Sequence, residues 1–367
     1  MKIAILCYHR LGGSGIIAYE TGYYLAKYKK YEVHFVGLEP PFRFYRDRLP
    51  NLFFHRIYME NYPVFNYQPY TLSLASQLAE LIDLYQLDII HSHYALPHAT
   101  AALLAKEMAS RKVKCVTTLH GTDVTVVGSG KTLYRITKHS ILNSDHVTAV
   151  SDAIKKDSEK NFNLPRDFIT TVYNFINPEV FYPPPDNTPS RDKIIFTHIS
   201  NLRPVKRPLD AVHIFTEINK QIKINSELWI SGDGPLLPEL QKAAAVSKLA
   251  PRIKFLGVRA DIETVLQQAD FLLLPSREEA FGMAALEAMA CKTIPVTTAA
   301  GGLPEVIDHQ QSGILFPCGK IKQAAAAVKK IINDGEVTRM KNTAALQAVN
   351  KFNIHQIMGQ YEQIYLE

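Results

Sequence analysis

Residues 271–274 (Phe271, Leu272, Leu273, Leu274) are apolar without interruption; a short polar turn follows, and then a helix-forming run of Ala284, Ala285, Leu286, Ala288, Met289 and Ala290. A strand apolar on both faces must be covered on both, and a helix apolar nearly all round must itself be buried. This pair belongs inside a parallel α/β sheet. The helix is expected to start near Gly282, where free backbone N–H groups and the positive end of the helix dipole create an anion site. Two carboxylates flank it: Glu279 in the turn, and Glu287 about one and a half turns into the helix, roughly 7–8 Å along the axis at 1.5 Å per residue. A carboxylate, an anion hole and a second carboxylate in a row suit a ligand with hydroxyls at both ends and phosphate between them. A nucleotide sugar has that layout.

The rest of the chain repeats the same alternation. A β-type run at 2–7 leads into Gly12-Gly13-Ser14-Gly15, a helical pattern at 16–27 and a second strand at 31–38. Strand, turn, helix, strand is the start of a parallel sheet. A dinucleotide-binding fingerprint is the competing reading of these glycines, but the third glycine of G-x-G-x-x-G is absent and Glu39 comes late. A glycine loop that lets backbone approach a phosphate or sugar fits better, with a plain tight turn as the alternative. Residues 40–70, rich in proline and aromatics including Tyr62-Pro63-Val64-Phe65, read as an irregular but ordered excursion. A strand at 87–91 should deliver His91, Ser92, His93 and Tyr94 to a loop, followed by a helix at 97–108. The strand at 113–119 ends in Thr117-Thr118-Leu119-His120-Gly121-Thr122-Asp123. Ligands of open α/β sheets sit beyond the carboxyl ends of strands, so Gly13, Tyr94, Thr118 and His120 could line one cleft. His91 and His93, taken to diverge if the strand continues, are read as polar loop residues and not as a metal pair. His120 is the better functional candidate, against the alternative of a structural histidine.

Prolines 178, 183, 184 and 185 mark residues 174–187 as an inter-domain connection. A second α/β half follows, with strands expected at 194–199, 228–231, 253–256, 271–274 and 293–297. Arg203, Lys206 and Arg207 form a basic cluster directly after its first strand. That cluster and the Gly282 helix share one sheet edge, where fixed cations would stabilise the charge of a pyrophosphate leaving group. The last helix, 354–365, aligns Ile354, Ile357, Met358, Tyr361 and Ile364 on one face and is expected to cross back to the first half. The architecture expected is α/β, with two Rossmann-like parallel-sheet domains facing across a cleft. Residues 1–170 plus 351–367 form one domain and residues 171–350 the other.

Composition narrows the function classes. At 367 residues the chain suits two domains, and 47% hydrophobic with 21% charged content is that of a globular protein. A net charge of +6 would attract an anionic small molecule, but without basic runs carrying interleaved aromatics nucleic-acid binding is a poor fit. Cys7, Cys115, Cys291 and Cys318 are scattered, which implies reduced thiols and a cytoplasmic location. Neither a signal h-region nor a run of about 18 apolar residues occurs, so no integral membrane association is expected. No metal-ligand spacing stands out, and no cofactor is implied.

Taken together, Glu279-Ala280-Phe281-Gly282 with Glu287, Gly12-Gly13-Ser14-Gly15, His120-Gly121-Thr122-Asp123, Gly232-Asp233-Gly234-Pro235 and Gly301-Gly302-Leu303-Pro304-Glu305-Val306 resemble the motifs of the retaining glycosyltransferases of family 4, with the GT-B fold. The likeness covers essentially the whole chain, and Glu279 with Glu287 matches the family's E-x7-E. Four segments, 91–98, 117–124, 172–176 and 198–207, are similar to members that transfer GlcNAc from UDP-GlcNAc to L-malate, the first step of bacillithiol biosynthesis. The resemblance implies a metal-independent hexosyltransferase. Glu287 would hold the donor's ribose hydroxyls and Glu279 the 3- and 4-hydroxyls of the hexose. Arg203 and Lys206 would neutralise the diphosphate, with Gly13, Ser14, Phe281 and Gly282 assisting. His120 would meet the sugar near its 6-hydroxyl, and Ser14, Tyr94, Thr118 and Thr122 would face the malate. Catalysis would thus rest on His120, Arg203, Lys206 and Glu279. The family's G-R-x-x-x-x-K reads Ser200-Asn201 to Lys206 here, so asparagine stands at the arginine position, with Arg203 as the substitute. Lys292 also follows Cys291 where a small residue is usual.

Alternatives remain at this level: a family 4 transferase with a phospho-inositol, lipid or glycan acceptor, a UDP-sugar epimerase, or an inactive nucleotide-sugar binder. A homo-oligomer is compatible with each.

Overall fold

The computed structural model describes residues 1–8, 12–59, 67–128, 130–185, 192–222 and 225–367. The Tyr62-Pro63-Val64-Phe65 aromatics, and Asp186 and Asn187 at the end of the expected connection, lie outside the described residues. The chain divides into two compact units. One is Met1–Asn174 with His355–Glu367, and the other is Phe175–Ile354.

In the first unit β1 (Lys2–Leu6), α1 (Gly13–Lys29), β2 (Glu32–Gly37), β3 (Leu52–Arg56), α2 (Tyr70–Tyr85), β4 (Ile89–His93), α3 (Thr100–Met108), β5 (Lys114–Leu119), α4 (Tyr134–Asn143), β6 (His146–Ala149), α5 (Asp152–Phe162) and the short β7 (Thr170–Thr171) follow in turn. Their seven strands form one sheet in the order β3-β2-β1-β4-β5-β6-β7, and every pairing is parallel. Such strands carry helices on both faces, which is why β1 reads as a nearly unbroken apolar run and even the polar β4 is buried along its whole length. One face packs Ala4, Leu6, Val36 and Ile90 against Leu74, Leu78 and Ile82 of α2 and Ala101, Ala102 and Ala105 of α3.

The second unit runs β8 (Ile194–Ile199), α6 (Pro208–Gln221), β9 (Ser226–Ser231), α7 (Leu237–Ala245), β10 (Ile253–Gly257), α8 (Ile262–Gln268), β11 (Phe271–Leu274), α9 (Met283–Ala290), β12 (Ile294–Thr298), α10 (Leu303–Val306), β13 (Ile314–Phe316), α11 (Ile321–Asn333) and α12 (Val337–Phe352). Its sheet, β10-β9-β8-β11-β12-β13, is again wholly parallel. Phe196, Phe215 and Phe271 centre its core, with Phe196 and Phe271 stacked at 5.2 Å. The final helix, α13 (Ile354–Leu366), returns to the first unit, and Ile357, Met358, Tyr361 and Ile364 on its apolar face are all buried.

Two expectations are corrected. Residues 40–70 are not wholly irregular, since β3 pairs in parallel with β2 from Val33↔Leu52 to Gly37↔Arg56. Proline and aromatic density hid a short edge strand whose Phe53 is exposed. The fourth strand also runs two residues further than expected, so His91, Ser92 and His93 lie inside it and only Tyr94 begins the loop. Residues two apart on a strand share a face. The rings of His91 and His93 accordingly do not diverge: they stack at 4.4 Å.

Each sheet reverses its winding direction once, between β1 and β4 in the first unit and between β8 and β11 in the second. At such a point the two loops leaving the strand ends diverge and open a crevice, the usual ligand position in open α/β sheets. The residues singled out from the sequence fall on these four loops and their neighbours. Among the described residues, no helix is long and apolar enough to cross a membrane.

Candidate active site

At the switch point of the second unit, Lys206 follows β8 and Glu279 follows β11. Lys206 Nζ lies 2.6 Å from Glu279 Oε2, with side chains 19% and 13% exposed. A pair this sheltered is screened less than a surface ion pair. The loops carrying the pair are held by backbone. Arg277 N donates to Val205 O at 2.8 Å, joining one loop to the other. Buried His198 bridges the strands beneath: its Nδ1 donates to Leu273 O at 2.8 Å, and its Nε2 meets Ser200 Oγ at 2.8 Å. Burial pushes its pKa down to about 4, so the ring is neutral.

The glycine turns explain why these loops sit where they do. A Cβ on Gly232 would lie 1.8 Å from Ser200 O, and one on Gly301 would lie 1.9 Å from Glu279 O. Both glycines have positive φ, +124° and +53°. Gly302 N also donates to Glu279 O at 3.0 Å. The Gly232 turn is thus the mould for the loop bearing Lys206, and the Gly301 turn is the mould for Glu279.

Helix α9 starts after Gly282, its N-cap, as the sequence predicts. The first-turn amides of a helix have no acceptor within it, and no acidic residue occupies this first turn to fill them. Glu287, on the same helix, is 8% exposed. Phe281 does not present its ring to a ligand position: it is buried edge-to-face against Phe352, at 5.5 Å, leaving its backbone for the turn. Arg203 is exposed at the rim. With the Asn201 amide oxygen facing it, that oxygen accepts from Arg203 Nε at 3.1 Å and Nη2 at 3.3 Å. Asparagine at the arginine position therefore engages the neighbouring arginine through a neutral group, which leaves the guanidinium charge uncancelled.

The bridge across the switch point of the first unit is made of uncharged groups. Gly13 and Ser14 open α1, and Ser14 Oγ lies 2.5 Å from Tyr94 OH, which leaves β4. This bond crosses between the two diverging loops, as Lys206–Glu279 does in the other sheet. Tyr94 adopts φ +94°, a costly conformation for a tyrosine, and donates its N–H to Thr118 O at 2.9 Å. His120 stands next to it, ring centroids 5.0 Å apart, with its Nε2 2.9 Å from His93 Nδ1. Burial alone pushes the His120 pKa down to about 3, so this ring is a neutral hydrogen-bonding group. Asp123 explains the rest of the His120-Gly121-Thr122-Asp123 motif. Its buried carboxylate accepts from the amides of Ala95 (2.9 Å), Gly121 (3.0 Å) and His120 (3.3 Å), tying the loop after β4 to the loop after β5. Burial raises its pKa to about 6 against those bonds.

Thr118, expected to face the acceptor, is 0% exposed. Its hydroxyl turns inward to His91 Nε2 and Thr148 Oγ1, each at 2.7 Å, and to Tyr361 OH at 3.3 Å. Gly13 and Thr122 are exposed and Ser14 and Tyr94 half-buried, so these four remain accessible. The sequence gives no site role to His93, Asn201, Tyr361 or Tyr365. The signal for His93 was present in its spacing of two from His91 on one strand. Among the described residues, no group of three or more His, Cys, Asp or Glu side chains is placed to hold a metal ion.

Comparison with known proteins identifies the family and the fold. Residues 11–180 match the family described as Glycosyltransferase Family 4, and residues 184–347 match Glycosyl transferases group 1. Across its whole length the chain is 38% identical to the N-acetyl-alpha-D-glucosaminyl L-malate synthase of Bacillus anthracis, covering 97% of that protein. It is 30% identical, over 68% of its own length and 56% of the relative's, to the GPI3 subunit of the phosphatidylinositol N-acetylglucosaminyltransferase of Saccharomyces cerevisiae. Among solved structures, Anabaena HepE in complex with UDP and glucose superposes with a TM-score of 0.80 over 99% of both chains, at 20% identity. The sucrose-phosphate synthase of Thermosynechococcus elongatus does so at 0.82 over 99% of this chain and 98% of that one, also at 20% identity. Structural likeness at that identity speaks to the fold, whereas the whole-length sequence match speaks to the family: the chain belongs to the family 4 glycosyltransferases and is a hexosyltransferase with the GT-B fold.

Proposed function

We propose that this enzyme transfers GlcNAc from UDP-GlcNAc to the hydroxyl of L-malate with retention of configuration. The observation that carries the reading is the 38% identity over the entire chain to an enzyme named for that acceptor. The described geometry supports it. In the second unit Lys206 and Arg203 are assigned to the diphosphate, assisted by the first amides of α9. Glu287 is assigned to the ribose hydroxyls and Glu279, already oriented by Lys206, to the hexose hydroxyls. In the first unit Ser14, Tyr94 and Thr122 are assigned to malate. The N-terminus of α1, with no acidic residue in its first turn, favours an anionic ligand such as a dicarboxylate. Thr118 acts from within, through His91 and the backbone of Tyr94. Neutral His120 is suited to a sugar hydroxyl and unsuited to holding a proton during turnover.

In this reading the bond from C1 of GlcNAc to the β-phosphate oxygen breaks while the malate hydroxyl oxygen bonds to C1 from the same face. The hydroxyl proton passes to the departing phosphate oxygen. Arg203 and Lys206 stabilise the charge that develops there, and Glu279 positions the sugar without bonding to it. The four unpaired cysteines go with a cytoplasmic enzyme.

The test is incubation with UDP-GlcNAc and L-malate, following UDP release and product mass. Malate-dependent UDP release with a product of the mass of GlcNAc-malate is expected. Release that needs D-inositol 3-phosphate or a lipid acceptor instead, or an epimerised sugar nucleotide, would overturn the assignment.

A further inference from the structure

His93 has no part in the chemistry set out above, yet it lies at the centre of the first unit's polar interior. Three imidazoles, His91, His93 and His120, form a continuous stack with ring centroids 4.4 Å and 5.1 Å apart and interplanar angles of 28° and 26°. The outer end is His120, which neighbours Tyr94. The inner end is His91, whose two nitrogens are both engaged, Nε2 by Thr118 Oγ1 at 2.7 Å and Nδ1 by Tyr365 OH at 2.8 Å. His93 is fixed through its backbone as well, since its carbonyl accepts from His98 Nδ1 at 2.9 Å. His93 is wholly buried and His120 nearly so.

The contact between His93 Nδ1 and His120 Nε2 at 2.9 Å constrains protons as well as positions. One nitrogen must donate and the other accept. A neutral imidazole carries a single N–H, so the nitrogen that holds it in one ring decides which nitrogen holds it in the other. We propose that His93 is a positioning residue for His120: it fixes the tautomer and the ring plane with which His120 meets the donor sugar. The catalytic part of this inference rests on the reading that His120 contacts the sugar; the tautomer part does not.

Substitutions at His93 separate this role from packing. Asparagine places an amide group where Nδ1 stands, glutamine places one nearer Nε2, and leucine keeps bulk without a hydrogen bond. The side-chain ¹⁵N shifts of His120 should report one tautomer in the unliganded wild-type enzyme, a mixture in His93→Leu, and one tautomer again in His93→Asn but not in His93→Gln. With UDP-GlcNAc and L-malate as probes, kcat/KM for the donor should fall about tenfold or more in His93→Leu and His93→Gln. His93→Asn should recover most of it, with KM for malate staying within about twofold throughout. If His93→Leu fails to fold, the asparagine and glutamine variants, which bury similar polarity, carry the test. Equal behaviour of those two, or a His120 tautomer unchanged in His93→Leu, would overturn the proposal. Should the wild type turn over a different acceptor, the functional reading fails while the ¹⁵N comparison still decides this one.

Discussion

The two switch points solve the same topological problem with opposite chemistry. In the second unit a charged pair, Lys206–Glu279, bridges the diverging loops, and glycine turns pressed against backbone hold those loops. In the first, a hydroxyl pair, Ser14–Tyr94, bridges the gap above a buried stack of imidazoles, of which His91 and His120 have pKa values lowered by desolvation. Charge would suit a diphosphate, because fixed cations favour an accumulating negative charge. Neutral, directional groups suit the recognition of hydroxyls, where the number and aim of hydrogen bonds discriminate.

The contrast can be broken at four residues, by acid and by chelation. The largest effect is expected for Gly301→Ala, where the new Cβ would meet Glu279 O at 1.9 Å in a positive-φ turn. A loss of about 3 kcal/mol in urea unfolding, with loss of activity, is expected. Near-normal stability would show that the turn yields and does not mould Glu279. Next, Lys206→Met should lower kcat by about 10²–10³-fold, whereas a change confined to KM would reduce Lys206 to a binding role. Glu287→Ala should weaken UDP binding about tenfold, and Tyr94→Phe should raise the KM for malate by a similar factor while leaving the donor nearly untouched. Equal effects of either variant on both substrates would erase the division of labour between the units.

Acidification should act mainly through the histidines. His91 and His120 are held near 3 and His198 near 4, all by burial, against an unfolded value of 6.5. Below pH 6.5 the unfolded chain therefore binds more protons than the fold does. The stability these rings contribute is complete above 6.5 and drains away as pH falls toward 4, by about 1.4 kcal/mol per pH unit for each ring. Denaturation midpoints that stay flat from pH 7 to 5 would show that the stack admits protons. The smallest effect is expected from EDTA, which should leave turnover unchanged if Arg203 and Lys206 carry the leaving-group charge. Loss restored by Mg²⁺ would transfer that role to a cation.

What could be read from the sequence follows the same divide. Residues 271–290 announce a strand, a turn that opens a helix at Gly282 and a buried helix, because apolar runs and a glycine each leave a local mark. The basic cluster after β8 is equally plain. The function of Gly232 and Gly301 is not, since their reason lies in backbone more than twenty residues away. Thr118 illustrates the opposite failure. It stands at a strand end, where ligands sit, but the periodicity of the strand turns its hydroxyl to Thr148 and to Tyr361 on α13. His91 and His93 carry their signal in a spacing of two, which the reading as a diverging pair inverts, because residues two apart on a strand share a face. β3 was lost among prolines and aromatics that look like loop.

The return of α13 to the first unit has a consequence for how the protein is made. Chains usually complete their domains in the order of synthesis. Here the unit that starts first needs Tyr361 and Tyr365 to satisfy Thr118 and His91, and those tyrosines follow the whole of the second unit in sequence. Phe175–Ile354, contiguous in sequence, has all its parts beforehand. Phe175–Ile354 can therefore mature before Met1–Asn174, and the hydrogen bonds that anchor the imidazole stack become complete only after the second unit has been made.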